Sequence, residues 1–119
     1  MKYACLIYGD GNLDDPLSAS EMKTLGAETV AYRDELRRKG HLIVTHPLEP
    51  AHTATTIRMR DGRLSMTDGP FAETKEQLGG FFLIEARDLN EAIRIASGIP
   101  AVRWDTIEIR PMRDLPESL

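Results

Sequence analysis

The chain has 119 residues, of which 41% are hydrophobic and 29% are charged, and its formal net charge is -4. This composition is typical of a single folded domain and excludes a mostly disordered chain. The acidic balance argues against direct nucleic-acid binding, because no basic cluster is longer than Arg37-Arg38-Lys39. The single cysteine, Cys5, excludes an internal disulfide, and no apolar run suits a signal segment or a membrane span, so we expect a cytoplasmic protein.

The first third of the chain predicts a strand, a polar loop and a helix. Tyr3 to Tyr8 is apolar at both parities, which is typical of a strand that is covered on both faces. Gly9 to Pro16 is a polar loop. Ser18 and Glu21 then form the pattern of a capping box at the start of a helix, and Gly40 ends that helix.

The middle of the chain predicts three further strands. His41 to Thr45 is the first of them. Thr55 to Arg60 and Arg63 to Thr67 flank the dipeptide Asp61-Gly62, which is a strong hairpin signal. Gly80 to Ala86 follows as a strand that is apolar on both faces, and Gly79-Gly80 at its start indicates a bulge or a close backbone approach.

A second helix and a last strand complete the pattern. Asp88 and Glu91 indicate a helix cap of the same kind as the first. We expect this helix to bury four apolar residues: Leu89, Ala92, Ile93 and Ala96. Trp104 to Arg110 alternates apolar and polar residues as a strand does. The expected organisation is one domain over residues 1–111 and a loosely held tail over residues 112–119.

This order of elements predicts an α+β fold, a ferredoxin-like plait with an extra β-hairpin strand. Such a plait places both helices on one face of an antiparallel sheet and leaves the other face open. The strands at Tyr3 to Tyr8 and at Phe81-Phe82 are nevertheless apolar on both faces. A second copy of the chain is the economical cover for that open face, so we expect a homodimer.

The densest motif of the chain runs from Asp68 to Phe81, with the sequence DGPFAETKEQLGGF. Together with Lys2 to Gly9, Asp61-Gly62 and Glu108 to Pro111, this motif resembles the YCII-related superfamily, in the branch called DGPF-domain proteins. The resemblance covers nearly the whole chain. It implies a dimeric α/β barrel, in which two ferredoxin-like protomers pack sheet to sheet and leave a cleft between the sheets and the helices.

The resemblance also bears on activity. The wider superfamily shares its fold with muconolactone isomerase and is suspected of enzymatic function through a histidine–aspartate pair, with the histidine on the first helix. Here the first helix, Glu21 to Lys39, contains no histidine, so that pair does not carry over to this sequence. Some members of the branch are labelled transcription-initiation proteins or occur near extracytoplasmic-function sigma factors.

His46 and Asp68 are the candidate catalytic residues. Asp68 follows a strand, where its carboxylate is suited to act as a general base or to orient a histidine. The alternative is that this carboxylate accepts hydrogen bonds from the turn amides that follow it, with the charges at Glu73 to Glu76 capping a short helical turn. His46 ends a strand, where its imidazole is suited to pair with Asp68, and its alternative role is structural.

Three further residues are candidates for ligand binding. Tyr8 and Phe71 are expected to grip an apolar part of a ligand, and Lys75 to offset negative charge on it. The alternative for the aromatic residues is packing in the core or in a dimer interface. The histidines are spaced by five and six residues, unlike metal ligands on one helix or strand, and no nucleotide-binding motif is present, so we expect neither a metal nor a cofactor.

Two hypotheses of function remain. The first is a small-molecule enzyme, a lyase or an isomerase, in which His46 and Asp68 transfer a proton in the inter-sheet cleft. The second is a non-catalytic dimeric module that binds a ligand or a protein partner, with a transcription-related role. Convergent polar groups around an accessible cavity would favour the enzyme, and a cleft filled by side chains would favour the module.

Overall fold

The computed structural model describes residues 1–10 and 17–116 and shows two helices and six strands in that part of the chain. The elements in chain order are β1 (Lys2–Asp10), α1 (Ala19–Arg38), β2 (Leu42–Pro47), β3 (Thr55–Arg60), β4 (Arg63–Asp68), β5 (Glu76–Glu85), α2 (Leu89–Ser97) and β6 (Thr106–Pro111). Short 3-10 turns lie at Ala51–Thr53 and Pro100–Arg103. Within this described part, neither helix has the length and the apolar composition needed to cross a bilayer.

The main sheet has four strands in the order β2-β5-β1-β6, and all neighbouring strands are antiparallel. This arrangement confirms the α+β prediction and is compatible with a ferredoxin-like fold. The pairing of β1 with β5 skips one residue, because Ile7 pairs with Gly80 whereas Tyr8 pairs with Leu78. Gly79 is therefore the extra residue of a β-bulge, as the double glycine predicts.

The hairpin forms a sheet of its own. β3 and β4 pair with each other over their full length, and the hairpin does not add a strand to the main sheet. Asp61 and Gly62 form the turn with φ angles of 50° and 74°, as the mirror-image turns of tight hairpins require. Glycine adopts this backbone conformation without steric cost, which is why this dipeptide is so strong a signal.

The two helix caps differ in one contact. Ser18 Oγ accepts a hydrogen bond from the Glu21 amide, and the Glu21 carboxylate accepts one from the Ser18 amide, so the capping box is confirmed. At α2, Asp88 Oδ1 accepts from the Glu91 amide in the same way. The carboxylate of Glu91, however, accepts from the amide and the guanidinium of Arg87.

The hydrophobic core lies between the helices and one face of the main sheet. Its buried residues are Tyr3, Cys5, Leu36, Phe82, Ile84, Ala86, Ala92, Ile95, Ala96 and Ile99. The predicted burial of Leu89 and Ile93 is wrong, since these side chains are 49% and 44% exposed. The buried stripe runs instead through Ala92, Ile95, Ala96 and Ile99, whose helical spacing places them on the face of the helix that meets the core.

The other face of the main sheet holds a second set of apolar side chains. The strand register alternates Leu6 and Phe81 with the core residues Cys5 and Phe82, so these two sets point to opposite faces. We name this second set the open face; it comprises Ala4, Leu6, Tyr8, Val44, Phe81 and Leu83. All six are half-buried, and both helices pack on the opposite side of the sheet.

Two predictions concern chain segments at the limits of the description. The predicted polar loop falls largely on residues 11–16, and the end of the predicted tail falls on residues 117–119; both lie outside the described residues. β6 ends at Pro111, and the next amide, that of Met112, donates a hydrogen bond to the Lys2 carbonyl. The division into a domain at 1–111 and a loose tail stays a prediction.

The capping box supplies a stability prediction. Ser18→Ala removes the oxygen that accepts from the Glu21 amide, so the free energy of unfolding should fall by about 1 kcal/mol. Urea denaturation measures this loss. Ser20→Ala is the matched control, because Ser20 lies two residues further along and its side chain is exposed. The control should stay within about 0.5 kcal/mol of wild type, and an equal loss in both variants would contradict the capping role.

Candidate functional site

A cleft of about 600 Å³ lies where β1 ends and β5 begins. Ile7 and Gly9 of β1 and Gln77 and Gly79 of β5 line it together, because the two strands pair antiparallel and bring these ends side by side. The volume is in the range of about 300–1,000 Å³ that is typical of small-molecule sites. The cleft is therefore the candidate ligand site of the protein.

Two segments that flank the hairpin form the walls of the cleft. Residues 48–52 precede the hairpin and residues 70 and 73–75 follow it. The two segments are joined at the hairpin base, where the Gly69 amide donates to the Ala54 carbonyl at 2.6 Å and the Thr56 hydroxyl donates to the Gly69 carbonyl at 2.8 Å. The hairpin base thus holds the two walls at a fixed separation.

The second wall is an ordered loop and not the helical turn considered from the sequence. Gln77 Nε2 donates to the carbonyls of Ala72 and Thr74 and lies 3.0 Å from the Thr74 hydroxyl, which itself donates to the Glu76 carbonyl. One side-chain amide therefore organises the loop that carries Lys75. The charges of this segment stay exposed toward the cleft and the solvent.

Asp105 is a partly buried carboxylate in the cleft. Its backbone is held by the 3-10 turn before it, since the Asp105 amide donates to the Ala101 carbonyl at 2.8 Å. Its side chain lies against Gly9, where an added Cβ would come within 2.7 Å of Asp105 Oδ1. A residue with a side chain at position 9 would therefore displace the carboxylate.

The pKa of Asp105 is raised above the ordinary aspartate value. Burial is the larger cause, because it disfavours the charged form, and the negative charge of Glu76 is the second. A carboxylate with a raised pKa binds a proton more strongly than an ordinary aspartate does. Asp105 is consequently a stronger base than an ordinary aspartate, as suits a group that accepts and returns a proton.

The charges around the cleft are unequal. Among the lining residues that the structure describes, the acidic ones are Asp10, Glu49, Glu73 and Asp105, and the basic ones are Lys75 and His52. Among the residues that the structure describes, no group of three or more acidic, histidine or cysteine side chains is arranged to hold a metal ion. The lining therefore suits an organic ligand that does not carry strong negative charge.

Of the five site residues predicted from the sequence, Lys75 alone lines the cleft. His46 lies in β2, with its ring centroid 6.4 Å from that of Phe81 in an edge-to-face contact. Asp68 is the last residue of β4 and pairs with Thr55. In the described part of the chain the side chains of these two residues make neither a hydrogen bond nor an ion pair, and they belong to different sheets. Their catalytic pairing stays a prediction.

The predicted aromatic contacts also lie outside the cleft. Tyr8 is on the open face, where its hydroxyl lies 3.4 Å from Glu108 Oε1. Phe71 is 77% exposed. These aromatic side chains are therefore available to a partner and not to a ligand in the cleft of one protomer.

The cysteine and the two other histidines have different surroundings. Cys5 is buried, and burial raises the pKa of its thiol to about 11, so the reactive thiolate is not formed near neutral pH. His41 Nδ1 lies 2.9 Å from the Glu85 carbonyl, as expected for a histidine that follows a helix-ending glycine. His52 is exposed and lines the cleft.

A double-mutant cycle tests the contact between Gly9 and Asp105. Gly9→Ala should cost about 1 kcal/mol of unfolding free energy, because the new methyl group displaces the carboxylate, and the cost should largely vanish in the Asp105→Ala background. Gly26→Ala is the control: an added Cβ there meets no atom within 4 Å, so it should stabilise α1 equally in both backgrounds. Additive effects of Gly9→Ala and Asp105→Ala would contradict the contact.

Comparisons with known proteins agree with the fold. The YCII-related domain matches residues 1–116 of the chain. An uncharacterized protein of Rhizobium meliloti (strain 1021) is 35% identical over 114 residues, which cover 94% of this chain and 92% of the relative. Both matches span nearly the full length, including the strands and loops that form the cleft. The chain belongs to the YCII-related family.

Proposed function

We propose that this protein binds a small organic molecule in the cleft and transfers a proton on it, in a reaction of the lyase or isomerase type. The observation that carries the proposal is that Asp105 and Lys75 both line one cleft of about 600 Å³ between ordered walls. A cavity that combines an apolar lining with a few placed polar groups, one of them with a perturbed pKa, is typical of a functional site.

The roles of the two charged residues follow from their chemistry. The Asp105 carboxylate, whose pKa is raised by burial, takes the proton from the substrate and returns it at another atom. Removal of that proton leaves negative charge on the substrate. The ammonium group of Lys75 offsets this developing charge, as positive groups do in sites where charge appears in the transition state.

The lining also restricts the class of substrate. Acidic residues outnumber basic ones in the described lining and disfavour an anion, so the substrate enters uncharged and becomes negative only during the reaction. Ile7, Leu48 and Leu78 offer apolar contact to its hydrocarbon part. A small aldehyde or ketone with an acidic C–H bond beside the carbonyl group fits both conditions, since its carbonyl oxygen carries the charge after proton removal.

The proposal includes a homodimer in the cytoplasm. The support for the dimer is the half-buried apolar open face, and the support for the compartment is the single unpaired thiol of Cys5. In the described part of one protomer, His46 and Asp68 belong to different sheets and make no hydrogen bond to each other. In the proposed dimer their side chains would therefore have to pair between the two copies. His46 lies on the same face of the sheet as Phe81, and Asp68 shares a face of the hairpin with Met66.

The second candidate function is a non-catalytic module that binds a ligand or a protein partner. The exposed apolar side chains of the hairpin favour it, because such surface usually marks an interaction site. A link to transcription stays a prediction. Catalysis distinguishes the enzyme from the binding module, since a binding module would hold a ligand in the cleft without exchanging its protons.

Proton exchange with solvent tests the enzymatic proposal without knowledge of the product. We expect the protein to accelerate the replacement of C–H by C–D in some member of a panel of small aldehydes and ketones in D2O, followed by proton NMR. Asp105→Asn should slow this exchange at least about 100-fold. Asp114→Asn is the matched control, because Asp114 is an exposed carboxyl outside the cleft, and it should leave the rate unchanged. Equal rates in the two variants would contradict the role of Asp105.

Lys75 has a corresponding test in the same assay. Lys75→Ala should lower the exchange rate about tenfold or more, because the developing negative charge loses its counter-charge. Lys23→Ala removes an exposed lysine of α1 that does not line the cleft, and it should have no effect. Equal exchange rates in Lys75→Ala and Lys23→Ala would contradict the proposed role of Lys75 in the reaction.

The raised pKa of Asp105 also predicts how stability depends on pH. The folded protein holds this proton to a higher pH than the unfolded chain, so the contribution of Asp105 to stability falls as pH rises through the folded-state pKa. Asp105→Asn removes that loss. The melting temperature of the variant should exceed that of wild type near pH 7 and approach it near pH 3 in calorimetry. A variant that is less stable than wild type near pH 7 would show that the carboxylate is structural.

A further inference from the structure

The hairpin of β3 and β4, residues 55–68, carries an exposed apolar patch on one face. The register pairs Ile57 with Met66 and Met59 with Leu64, so these four side chains lie on the same side of the hairpin. They are between 59% and 72% exposed. We name the hairpin the arm and these four residues the arm patch. Since all four side chains are exposed, packing within one protomer does not explain why these positions are apolar.

The opposite face of the arm is polar. It carries Thr56, Arg58, Ser65 and Thr67, with Arg60 and Arg63 near the turn. The arm is thus amphipathic, as a strand pair is when one face is covered and the other meets water. Its strands make few contacts with the main sheet or the helices. A two-stranded hairpin without such support is marginally stable in water, so a partner on the arm patch would stabilise it.

The size of the arm patch indicates how that partner must bind. Four aliphatic and methionine side chains at this exposure present on the order of 500 Å² of apolar surface. A stable interface buries about 800 Å² on each partner, so the arm patch must act together with another surface. The open face is such a surface on the same chain, and a second copy brings both at once.

The shape of the protomer agrees with this inference. Its radius of gyration is 16.6 Å, and its extents are 47 × 47 × 19 Å. A compact chain of this length has a radius of gyration of about 13.5 Å. The protomer is therefore flat and extended, with an arm that reaches beyond its own core. Elements of this kind bury their apolar surface between subunits.

We propose that the arm of each copy lays its arm patch on the open face of a second copy. This inference rests on the homodimer of the proposed function and adds the element that holds it together. Because each copy offers both surfaces, the contact is made twice around a two-fold axis and closes without further growth. The base of each arm also joins the two walls of the cleft, so docking of the arm restrains the walls in its own protomer.

Charge placed on the two faces of the arm tests the docking. Wild type should have twice the mass of one 13.3 kDa chain in sedimentation equilibrium. Met66→Asp buries a charge in both copies of the contact, so the dimer dissociation constant should rise at least about 100-fold. Ser65→Asp places the same charge on the neighbouring residue of the polar face and should leave the constant unchanged. Unchanged far-ultraviolet circular dichroism shows that both variants remain folded.

The outcomes separate this inference from the homodimer itself. A monomeric wild type at 100 µM would overturn both. A dimeric wild type whose dissociation constant is the same with Met66→Asp and with Ser65→Asp would overturn the arm contact and leave the homodimer standing.

A photoreactive benzoylphenylalanine at position 66 identifies the surface that the arm contacts. We expect a covalent dimer whose cross-linked peptide comes from β1, β2 or β5 of the second copy. A cross-link to residues 55–68 of the second copy would show arm-to-arm pairing and overturn docking on the open face. A dimer by mass that forms no cross-link would overturn it as well.

Discussion

Antiparallel pairing between β1 and β5 positions both the core and the cleft. At one end of the pair, Cys5 lies opposite Phe82 and directs both side chains toward the helices, where they form the centre of the core. At the other end the bulge at Gly79 changes the register, so the ends of the two strands present Gly9 and Gln77 to the cleft. A change in this pairing would therefore move the core and the site together.

The cleft is built by residues that come from distant parts of the chain. The sheet contributes Gly9, the turn before β6 contributes Asp105, and the loop after the arm contributes Lys75. Each is held by a contact of its own: the close approach of Gly9, the hydrogen bond to the Ala101 carbonyl and the amide of Gln77. If the proposed proton transfer takes place, the backbone of these groups is held before a ligand arrives, which would reduce the cost of organising them in the transition state.

In the proposed dimer the arm would link the contact between the two copies to the cleft. Its base ties together residues 48–54 and 69–75, and its outer part carries the apolar surface that a second copy would cover. In a free protomer the arm has little support beyond its own hydrogen bonds, so the walls of the cleft would open more readily. Dimer formation and ligand binding would then favour each other through the same element.

Local signals predicted most of the fold, and non-local contacts explain what they missed. Ser18 and Glu21 mark a helix start, and Asp61-Gly62 marks a hairpin, because each motif satisfies a nearby backbone requirement. The position of Asp105 in the cleft could not be predicted from a local motif. Asp105 reaches the cleft because strand pairing brings Gly9 next to it, although the two residues are far apart in the sequence. No sequence spacing indicates that contact. The hydrogen bonds of Gln77 to Ala72 and Thr74 are local, but they depend on an irregular loop conformation that no hydrophobic period or capping pattern predicts.

Titration of the Asp105 carboxyl group in the wild-type protein, followed at its carbon by carbon-13 NMR, is the most direct test of Asp105 as the proton acceptor of the cleft. We predict a pKa of Asp105 clearly above the value of about 3.9 for an unperturbed aspartate. This pKa should move toward the ordinary value when Glu76→Gln removes the neighbouring negative charge. A carboxyl group that titrates at or below the ordinary value, with no response to Glu76→Gln, would contradict Asp105 as the proton acceptor of the cleft.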